Sequence, residues 1–294
     1  MEYLLILAAD ALLAACFAFQ KKYQSISGTS AGATLTFNAF VGLFTCIIFT
    51  ALGFFGVFPI EFSLFSAFMA LIVTALCLSY MIIGFKLLRS GNMPFYTMFL
   101  MTGGMLVPYV FGLFFLNEEF SYLRLSGIVL IVAAVIISNT GRLKLSGSQI
   151  GMCCAVFLLN GCVSVVSKLH QAEIVSHFNP VNTESFVILM AIVKIVLCFP
   201  IAFVLMKKAG QNIAGKGFSG VLPLFVLTAV ADGASCYLQL LGAKSIDAGV
   251  LYPLVTAGSI ILSALFGMIA FRERPSRNQW VAMGVCLVGT CMFI

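Results

Sequence analysis

Apolar stretches of about 18 to 25 residues follow one another along the whole chain, and this recurrence constrains the fold more than any motif does. At a rise of about 1.5 Å per residue, each stretch can cross a hydrocarbon core of about 30 Å as an α-helix. Only 9% of the 294 residues are charged, whereas about 25% are charged in a typical soluble domain. The sequence therefore predicts an all-α integral membrane protein surrounded by a lipid bilayer.

Polar or Gly- and Pro-rich segments divide the chain into ten predicted transmembrane helices. These spans cover residues 3–20, 30–55, 63–85, 94–117, 122–139, 149–169, 182–206, 219–242, 250–271 and 277–294. The connections at residues 89–92 and 244–249 are so short that the helices on either side must be antiparallel. No soluble domain is expected. We predict a multi-pass protein of a plasma membrane, the inner membrane of a bacterium.

The two halves of the chain resemble each other, and the matching positions occur in the same order in both. At offsets of 147 to 158 residues, the matched pairs are Lys21 with Lys168, Lys86 with Lys244, Gly91 with Gly249, Gly104 with Gly258 and Glu119 with Glu273. We infer two copies of a five-helix unit, residues 1–141 and 142–294. Because each unit crosses the membrane an odd number of times, the copies form an inverted repeat, which is typical of secondary transporters with alternating access.

Two long segments carry a resemblance to a known family: "KSIDAGVLYPLVTAGSIILSALFGMIAFRERPSRNQWVAMGVCLVGTCMF" and its first-half partner "KLLRSGNMPFYTMFLMTGGMLVPYVFGLFFLNEEFSYLRLSGIVLIVAAVII". The chain resembles the drug/metabolite transporter superfamily, EamA-type, over essentially its whole length. In that family a short turn leads into a helix with small residues, then a Glu near its end, then a Gly-containing helix. Glu119 and Glu273 match this Glu, and we expect them to pair with basic residues of the adjoining connections. One departure is "FFGVFPIEFS", which lacks the basic residues usual after the second helix.

Lysine and arginine residues are concentrated in alternate connections. The connections that follow the odd-numbered spans hold twelve of them, whereas the remaining connections hold three, Arg124, Lys168 and Lys244. The positive-inside rule places the first set in the cytoplasm and therefore both termini outside. The family resemblance implies the opposite orientation, with both termini in the cytoplasm. We favour the orientation that the charges indicate.

Few ionisable residues lie within the spans: Asp10, Glu184, Lys194 and Asp232. A charge at the bilayer centre costs at least about 2.5 to 3.5 kcal/mol, so each should face the interior of the bundle. Lys194 and Asp232 either form a structural ion pair or line a cavity and bind substrate. Asp10, Asp232 and the less deeply placed Glu184 are candidates for proton coupling, because a carboxylate away from water can bind and release a proton.

Uncharged polar residues in or near the spans extend the set of candidate substrate ligands. Asn160 begins a polar stripe along the sixth span, continued by serines at i+4 and i+7. Asn38, Gln239 and Tyr237 are further candidates. Each could instead make an interhelical hydrogen bond, worth about 0.6 kcal/mol, and the tyrosine could belong to an interfacial belt. Both interpretations remain open from the sequence.

Four residues are expected to shape the helices themselves. Pro108, one turn after a Gly-Gly pair in the fourth span, should kink or loosen that helix. Ser259, Ser263 and Gly267 are spaced by four along the ninth span. Such a stripe of small side chains lets another helix backbone come close, so we assign it to packing.

No catalytic constellation or nucleotide-binding loop is present, so we expect neither an enzyme nor an ATP-driven pump. The ten cysteines lie in apolar stretches, where a thiol behaves as a small hydrophobe. We predict no metal, no cofactor and no nucleic-acid partner. An alternative function is a membrane-embedded enzyme or lipid-handling protein with a polar site at His170, Glu173 and His177, which could share one helix face.

The expected function is a secondary transporter for a small polar metabolite, working by alternating access through a central cavity. An amino acid or related zwitterion is the favoured substrate class, because the ionisable residues within the spans carry both signs. The protein is expected to act as a monomer or a homodimer.

Overall fold

The computed structural model describes residues 2–28, 30–89, 93–138, 146–208, 218–272 and 276–293. Those residues form ten α-helices and two short 3-10 helices, and they contain no β-strand. The α-helices are α1 (Glu2–Ser27), α2 (Ala31–Phe54), α3 (Leu64–Arg89), α4 (Met93–Phe115), α5 (Tyr122–Ser138), α6 (Gly147–Gln171), α7 (Thr183–Lys208), α8 (Phe218–Ser245), α9 (Ala248–Phe271) and α10 (Arg277–Thr290). The 3-10 helices are Glu173–Phe178 and Cys291–Phe293.

Eight of the described helices are long and apolar enough to cross a membrane. The other two are α5, with 17 residues, and α10, with 14 residues before its 3-10 extension. A bundle of such apolar helices cannot remain dissolved in water, because the apolar side chains on its outer surface would be exposed to the solvent. The chain is therefore an all-α protein with the character of a multi-pass membrane protein.

Successive helices run in opposite directions, so their connections alternate between two ends of the bundle. At one end the Tyr3 hydroxyl donates to the carbonyl oxygen of Phe293 at 3.2 Å, and Arg124 pairs with Asp247 at 2.8 Å. We call this end the terminal face, because α1 begins and α10 ends there. The opposite end is called the basic face, because most of the Lys and Arg residues that the structure describes lie at or beside the helix ends there.

Glycines let α4 and α6 come into backbone contact. A Cβ atom at Gly103 would collide with the backbone of Phe157, and one at Gly161 would collide with Val107. The other extensive helix pairs are α2 with α7, α1 with α8, α5 with α10, α3 with α6 and α1 with α9. Each of these pairs joins a helix from residues 1–141 to one from residues 142–294, so the two halves share a single packed interior.

The first helix continues well beyond the predicted end of its span at residue 20. It runs to Ser27, because Tyr23 is buried against Phe37 and Phe225. Lys21 and Lys22 end the apolar stretch in the sequence and are exposed. The sequence pattern therefore locates the edge of the hydrocarbon region, whereas tertiary packing decides where the helix ends.

Candidate functional site

A cavity of about 250 Å³ lies inside the bundle, lined by side chains from α1, α2, α3, α6, α7, α8 and α9. Its walls are mainly apolar, with residues such as Leu13, Val73 and Leu240. Its polar lining residues are Thr45, Thr74, Ser164, Ser167, Lys194, Asp232, Ser235, Gln239 and Tyr252. A concave, largely apolar cavity with a few converging polar groups is the usual form of a small-molecule site.

An ion pair lies at mid-depth in this cavity. Lys194 Nζ donates a hydrogen bond to Asp232 Oδ2 at 3.1 Å. Lys194 is the twelfth of 26 residues in α7, and Asp232 is the fifteenth of 28 residues in α8, so both lie near the middle of their helices. Their side chains remain 30% and 35% exposed. The two charges therefore satisfy each other while both still face the cavity.

Two glycines let α2 approach the ion pair closely. A Cβ atom at Gly42 would lie 3.3 Å from Lys194 Cδ and 3.3 Å from the carbonyl oxygen of Ala191. A Cβ atom at Gly233 would lie 2.8 Å from the ring of Phe49. The apolar stem of the lysine thus lies across the α2 backbone, which directs its ammonium group towards Asp232.

Gln239, a substrate ligand predicted from the sequence, also lines the cavity. Its amide nitrogen donates to Ser235 Oγ at 3.1 Å, and that hydroxyl donates to the carbonyl oxygen of Ala9 at 2.8 Å. These bonds link α8 to α1 beside the ion pair.

The remaining uncharged candidates lie outside the lining of this cavity. Asn160 donates to the carbonyl oxygen of Leu100 at 2.7 Å, which joins α6 to α4. Asn38 donates to the carbonyl oxygen of Thr34 at 2.9 Å, within its own helix. Tyr237 donates to Glu184 Oε1 at 3.0 Å. In the described residues these side chains therefore tie helices or turns together.

Asp10 is sealed between α1 and α9, away from the ion pair. Its side chain is buried, with 2% of the residue exposed, and a Cβ atom at Gly258 would collide with its carboxyl group. Among the described residues, Asp10 Oδ1 has no hydrogen-bond partner.

The residues assigned to helix shape lie within α4 and α9. Pro108 is buried within α4. Ser259 and Gly267 are buried on α9, while the Ser263 hydroxyl donates to the carbonyl oxygen of Ile260 at 3.2 Å. The stripe thus contributes contact surface within the bundle.

The glutamate that ties the terminal face together is Glu118, the neighbour of the expected residue. Glu118 accepts hydrogen bonds from the backbone N–H groups of Ala248 at 2.7 Å and Gly249 at 3.1 Å. Glu119 is exposed, and Glu273 lies outside the described residues. A carboxylate at the first turn of α9 satisfies unpaired N–H groups and interacts favourably with the helix dipole.

His170 belongs to a closed network at the terminal end of α6. Its ring stacks on Phe186 with centroids 3.6 Å apart, and Nε2 lies 2.9 Å from Ser66 Oγ. The Gln171 amide nitrogen donates to His170 Nδ1 at 2.9 Å. That bond places the lone pair on Nδ1 and the proton on Nε2, so His170 donates to Ser66 and is not oriented to accept its proton.

The other members of the alternative polar site do not join this network. Glu173 and His177 are exposed on the 3-10 helix, and His177 packs against Phe178 at a centroid distance of 4.0 Å. Among the described residues there is no group of three His, Cys, Asp or Glu that could hold a metal ion. This region therefore has the geometry of a structural connection between α6 and α7.

Sequence reasoning missed two features of the cavity, the glycine contact at Gly42 and the threonines Thr45 and Thr74. Threonine and glycine are common in transmembrane helices and carry no charge, so neither stands out in an apolar sequence. A search for small residues one helical turn apart on the second span would have drawn attention to Gly42.

Comparison with known proteins identifies the fold alone. No protein-family model and no curated protein matches this chain. Among solved structures, 28 chains match, and one of them, described as the crystal structure of a protein, superposes with a TM-score of 0.77. The match covers 99% of this chain and 95% of that chain at 14% sequence identity.

Proposed function

We propose that this protein is a secondary transporter that moves a small polar metabolite, with an amino acid or a related zwitterion favoured, by alternating access through the central cavity. The observation that carries the proposal is the Lys194–Asp232 pair, which lies at the middle of two helices and faces the cavity. Ionisable residues at this depth are retained at a considerable cost and mark substrate or ion pathways.

The chemistry of the pair suits a ligand that carries both charges. A substrate carboxylate can take the place of Asp232 on Lys194, while its ammonium group takes the place of Lys194 on Asp232. After release the two side chains pair again, so that neither the loaded nor the empty cavity holds an uncompensated charge. An ion with one charge would displace one partner and leave the other unpaired.

The size of the cavity favours a small substrate. Drug-sized ligands occupy pockets of about 300 to 1,000 Å³, and this cavity holds about 250 Å³. Its largely apolar walls leave room for a modest apolar substituent beside the charged groups.

The pattern of helix contacts supports the inverted repeat that the sequence predicts. In an inverted repeat, each of α1 to α5 is equivalent to the helix numbered five higher, so a contact between two helices should recur between their equivalents. The contact of α1 with α8 recurs as α6 with α3, that of α1 with α9 as α6 with α4, and that of α2 with α8 as α7 with α3. The pairs α2–α7, α4–α9 and α5–α10 map onto themselves. We infer two five-helix units at residues 1–141 and 142–294, as in EamA-type drug/metabolite transporters.

We also infer a division of roles between the two deep aspartates. Asp232 is engaged by Lys194, whereas Asp10 lacks a partner for one oxygen in a sealed position. Asp10 is therefore the better candidate to carry a coupling proton, and Asp232 the better substrate ligand. Glu184 already accepts the hydroxyl of Tyr237.

Orientation follows from the charges. We infer that the basic face lies on the cytoplasmic side of the membrane and the terminal face on the opposite side. The connections of the basic face carry most of the Lys and Arg residues.

Uptake of labelled metabolite pools into proteoliposomes tests the function. Wild-type protein should take up zwitterionic metabolites, and Lys194→Met and Asp232→Asn should each lower uptake about tenfold or more without loss of folded protein. The matched control is Arg124→Gln, which breaks a second ion pair of similar length and exposure outside the cavity. Wild-type vesicles that take up none of the pools faster than empty liposomes would contradict the proposal.

A further inference from the structure

Lys168 forms a bridge across the terminal end of the central cavity. It lies in the last turn of α6, and only 7% of the residue is exposed. Its Nζ donates to the carbonyl oxygens of Ala243 at 2.8 Å and Ile246 at 2.5 Å. The Ala243 carbonyl belongs to the last turn of α8 and the Ile246 carbonyl follows directly after the helix, where backbone oxygens lack helical partners and the helix dipole attracts a cation.

A second cavity, of about 300 Å³, lies on the terminal side of this bridge. Its charged lining residues are Glu118, Lys168, Glu173, Lys244 and Asp247. Ala243 lines both cavities. The hydrogen bond from Lys168 to Ala243 therefore lies at the boundary between the two spaces.

Tyr252 makes a second connection at the same end. Its hydroxyl donates to the carbonyl oxygen of Ser164 at 2.6 Å, which links α9 to α6. Both residues line the central cavity. Lys168 and Tyr252 together join α6 to α8 and α9 through three hydrogen bonds, all made by side chains to backbone carbonyls.

A cluster of aromatic side chains lies towards the basic face of the bundle. Tyr23, Phe37, Phe40 and Phe225 pack together from the basic ends of α1, α2 and α8. Their ring centroids are 4.6 Å apart for Tyr23–Phe37 and 5.0 Å apart for Phe40–Phe225. Opening this side requires the helices to separate, because several large apolar side chains must leave one another.

We propose that Lys168 and Tyr252 form the gate between the central cavity and the charged outer cavity on the terminal face. The gate opens by rotation of two side chains, while the helices stay packed against the aromatic cluster. Each donor exchanges a carbonyl oxygen for water, which costs little net free energy per bond. A molecule from the terminal face thus passes the outer cavity and reaches Lys194 and Asp232.

The biological role of the gate rests on the proposed transport function, but access through the gate can be measured without any substrate. Cys236 lines the central cavity next to Asp232 and serves as the reporter. The other nine cysteines are replaced, and the protein is placed in vesicles of known orientation. A membrane-impermeant methanethiosulfonate reagent is added at one face, and the rate of Cys236 modification is measured.

Tyr252→Phe and Lys168→Met each remove the donor and keep the bulk of the side chain. Each should accelerate modification from the terminal face roughly 2- to 10-fold, the factor that corresponds to one net hydrogen bond. The rate from the basic face should not change. Modification at the wild-type rate in Tyr252→Phe would overturn the proposal even if Lys168→Met failed to fold.

The matched control is Ser66→Ala, which removes the hydroxyl that contacts His170 and accepts the backbone N–H of Val181 at 3.0 Å. This network lies at the same end of α6 but outside the cavity lining. Equal acceleration in Ser66→Ala, or acceleration from both faces, would mean general loosening and would overturn the gate. Faster modification in a protein that transports nothing would retain the gate and reject the transport function, so the two failures are distinguishable.

Discussion

Lys194 and Asp232 face each other from the midpoints of two antiparallel helices, with 3.1 Å between Nζ and Oδ2 and about a third of each side chain exposed. Complete enclosure would strengthen the attraction between the two charges, but it would also remove both from water, and that cost can exceed the gain. This pair instead faces a cavity that has room for a ligand. The arrangement is therefore suited to exchange partners.

The first prediction separates structure from function at this pair. Asp232→Asn and Lys194→Met should each lower uptake about tenfold or more, because a charge-assisted hydrogen bond to the substrate is worth about 1.5 to 3 kcal/mol. Yield and monodispersity in detergent should stay close to those of the wild type, since the remaining charge still faces the cavity. If Asp232→Asn loses yield and adding Lys194→Met restores it, the pair is structural. A double variant that transports normally contradicts both roles.

The second prediction concerns Gly42. Gly42→Ala should raise KM several-fold with a smaller change in kcat, because the new methyl group presses on the Lys194 stem and displaces its ammonium group. Gly32→Ala is the matched control on the same pair of helices, where the added carbon meets the flexible side chain of Met206 at 3.0 Å. Equal KM values for the two variants would show that Gly42 only packs helices.

The third prediction assigns energy coupling to Asp10. In proteoliposomes, an imposed pH gradient should drive concentrative uptake by the wild type, and Asp10→Asn should abolish this while substrate exchange continues. Asparagine keeps the shape of the side chain against Gly258 but cannot release a proton. Uptake that ignores the pH gradient in wild-type vesicles would remove the basis for coupling at this residue.

The fourth prediction compares two adjacent glutamates. Glu118→Gln should destabilise the folded protein by about 1 to 3 kcal/mol, because it weakens two charge-assisted bonds to the start of α9. Glu119→Gln should have little effect, since that side chain is exposed. Thermal unfolding in one detergent measures both variants. A larger loss for Glu119→Gln would contradict the observed capping arrangement.

The fifth prediction tests orientation with two isosteric substitutions in a cysteine-free background. Ser176→Cys lies on the terminal face and Ser25→Cys near the basic face, and both serines are exposed. In intact cells an impermeant thiol reagent should label Ser176→Cys, while Ser25→Cys should react only after permeabilisation. The reverse pattern would place the termini in the cytoplasm, as the family resemblance implies.

The depth of each ionisable residue was predictable from the sequence, but the direction in which it points was not. Counting residues along an apolar stretch places Lys194 and Asp232 near the middle of the membrane. The helices are apolar on nearly every side, so no amphipathic pattern indicates which side chain meets which neighbour.

Glu118 and Lys168 also make contacts that the sequence did not indicate. The sequence motif drew attention to Glu119 as a partner for basic residues, and it gave no indication that the adjacent Glu118 accepts hydrogen bonds from the start of α9. Lys168 was counted as a charge of a connection, whereas it is buried and bound to two carbonyl oxygens. Both outcomes depend on long-range packing between halves of the chain, which periodicity within one helix does not encode.

The Lys194–Asp232 pair carries no net charge, so a membrane voltage does no net work on it when the central site changes its exposure. A membrane voltage acts on net charge, at about 2.3 kcal/mol per elementary charge per 100 mV, and the two side chains together carry none. The empty cavity can therefore change its exposure without work against the voltage, and so can a cavity that holds a zwitterion. Any current measured across a membrane containing this protein would then report a separately carried ion, which we propose to be a proton at Asp10.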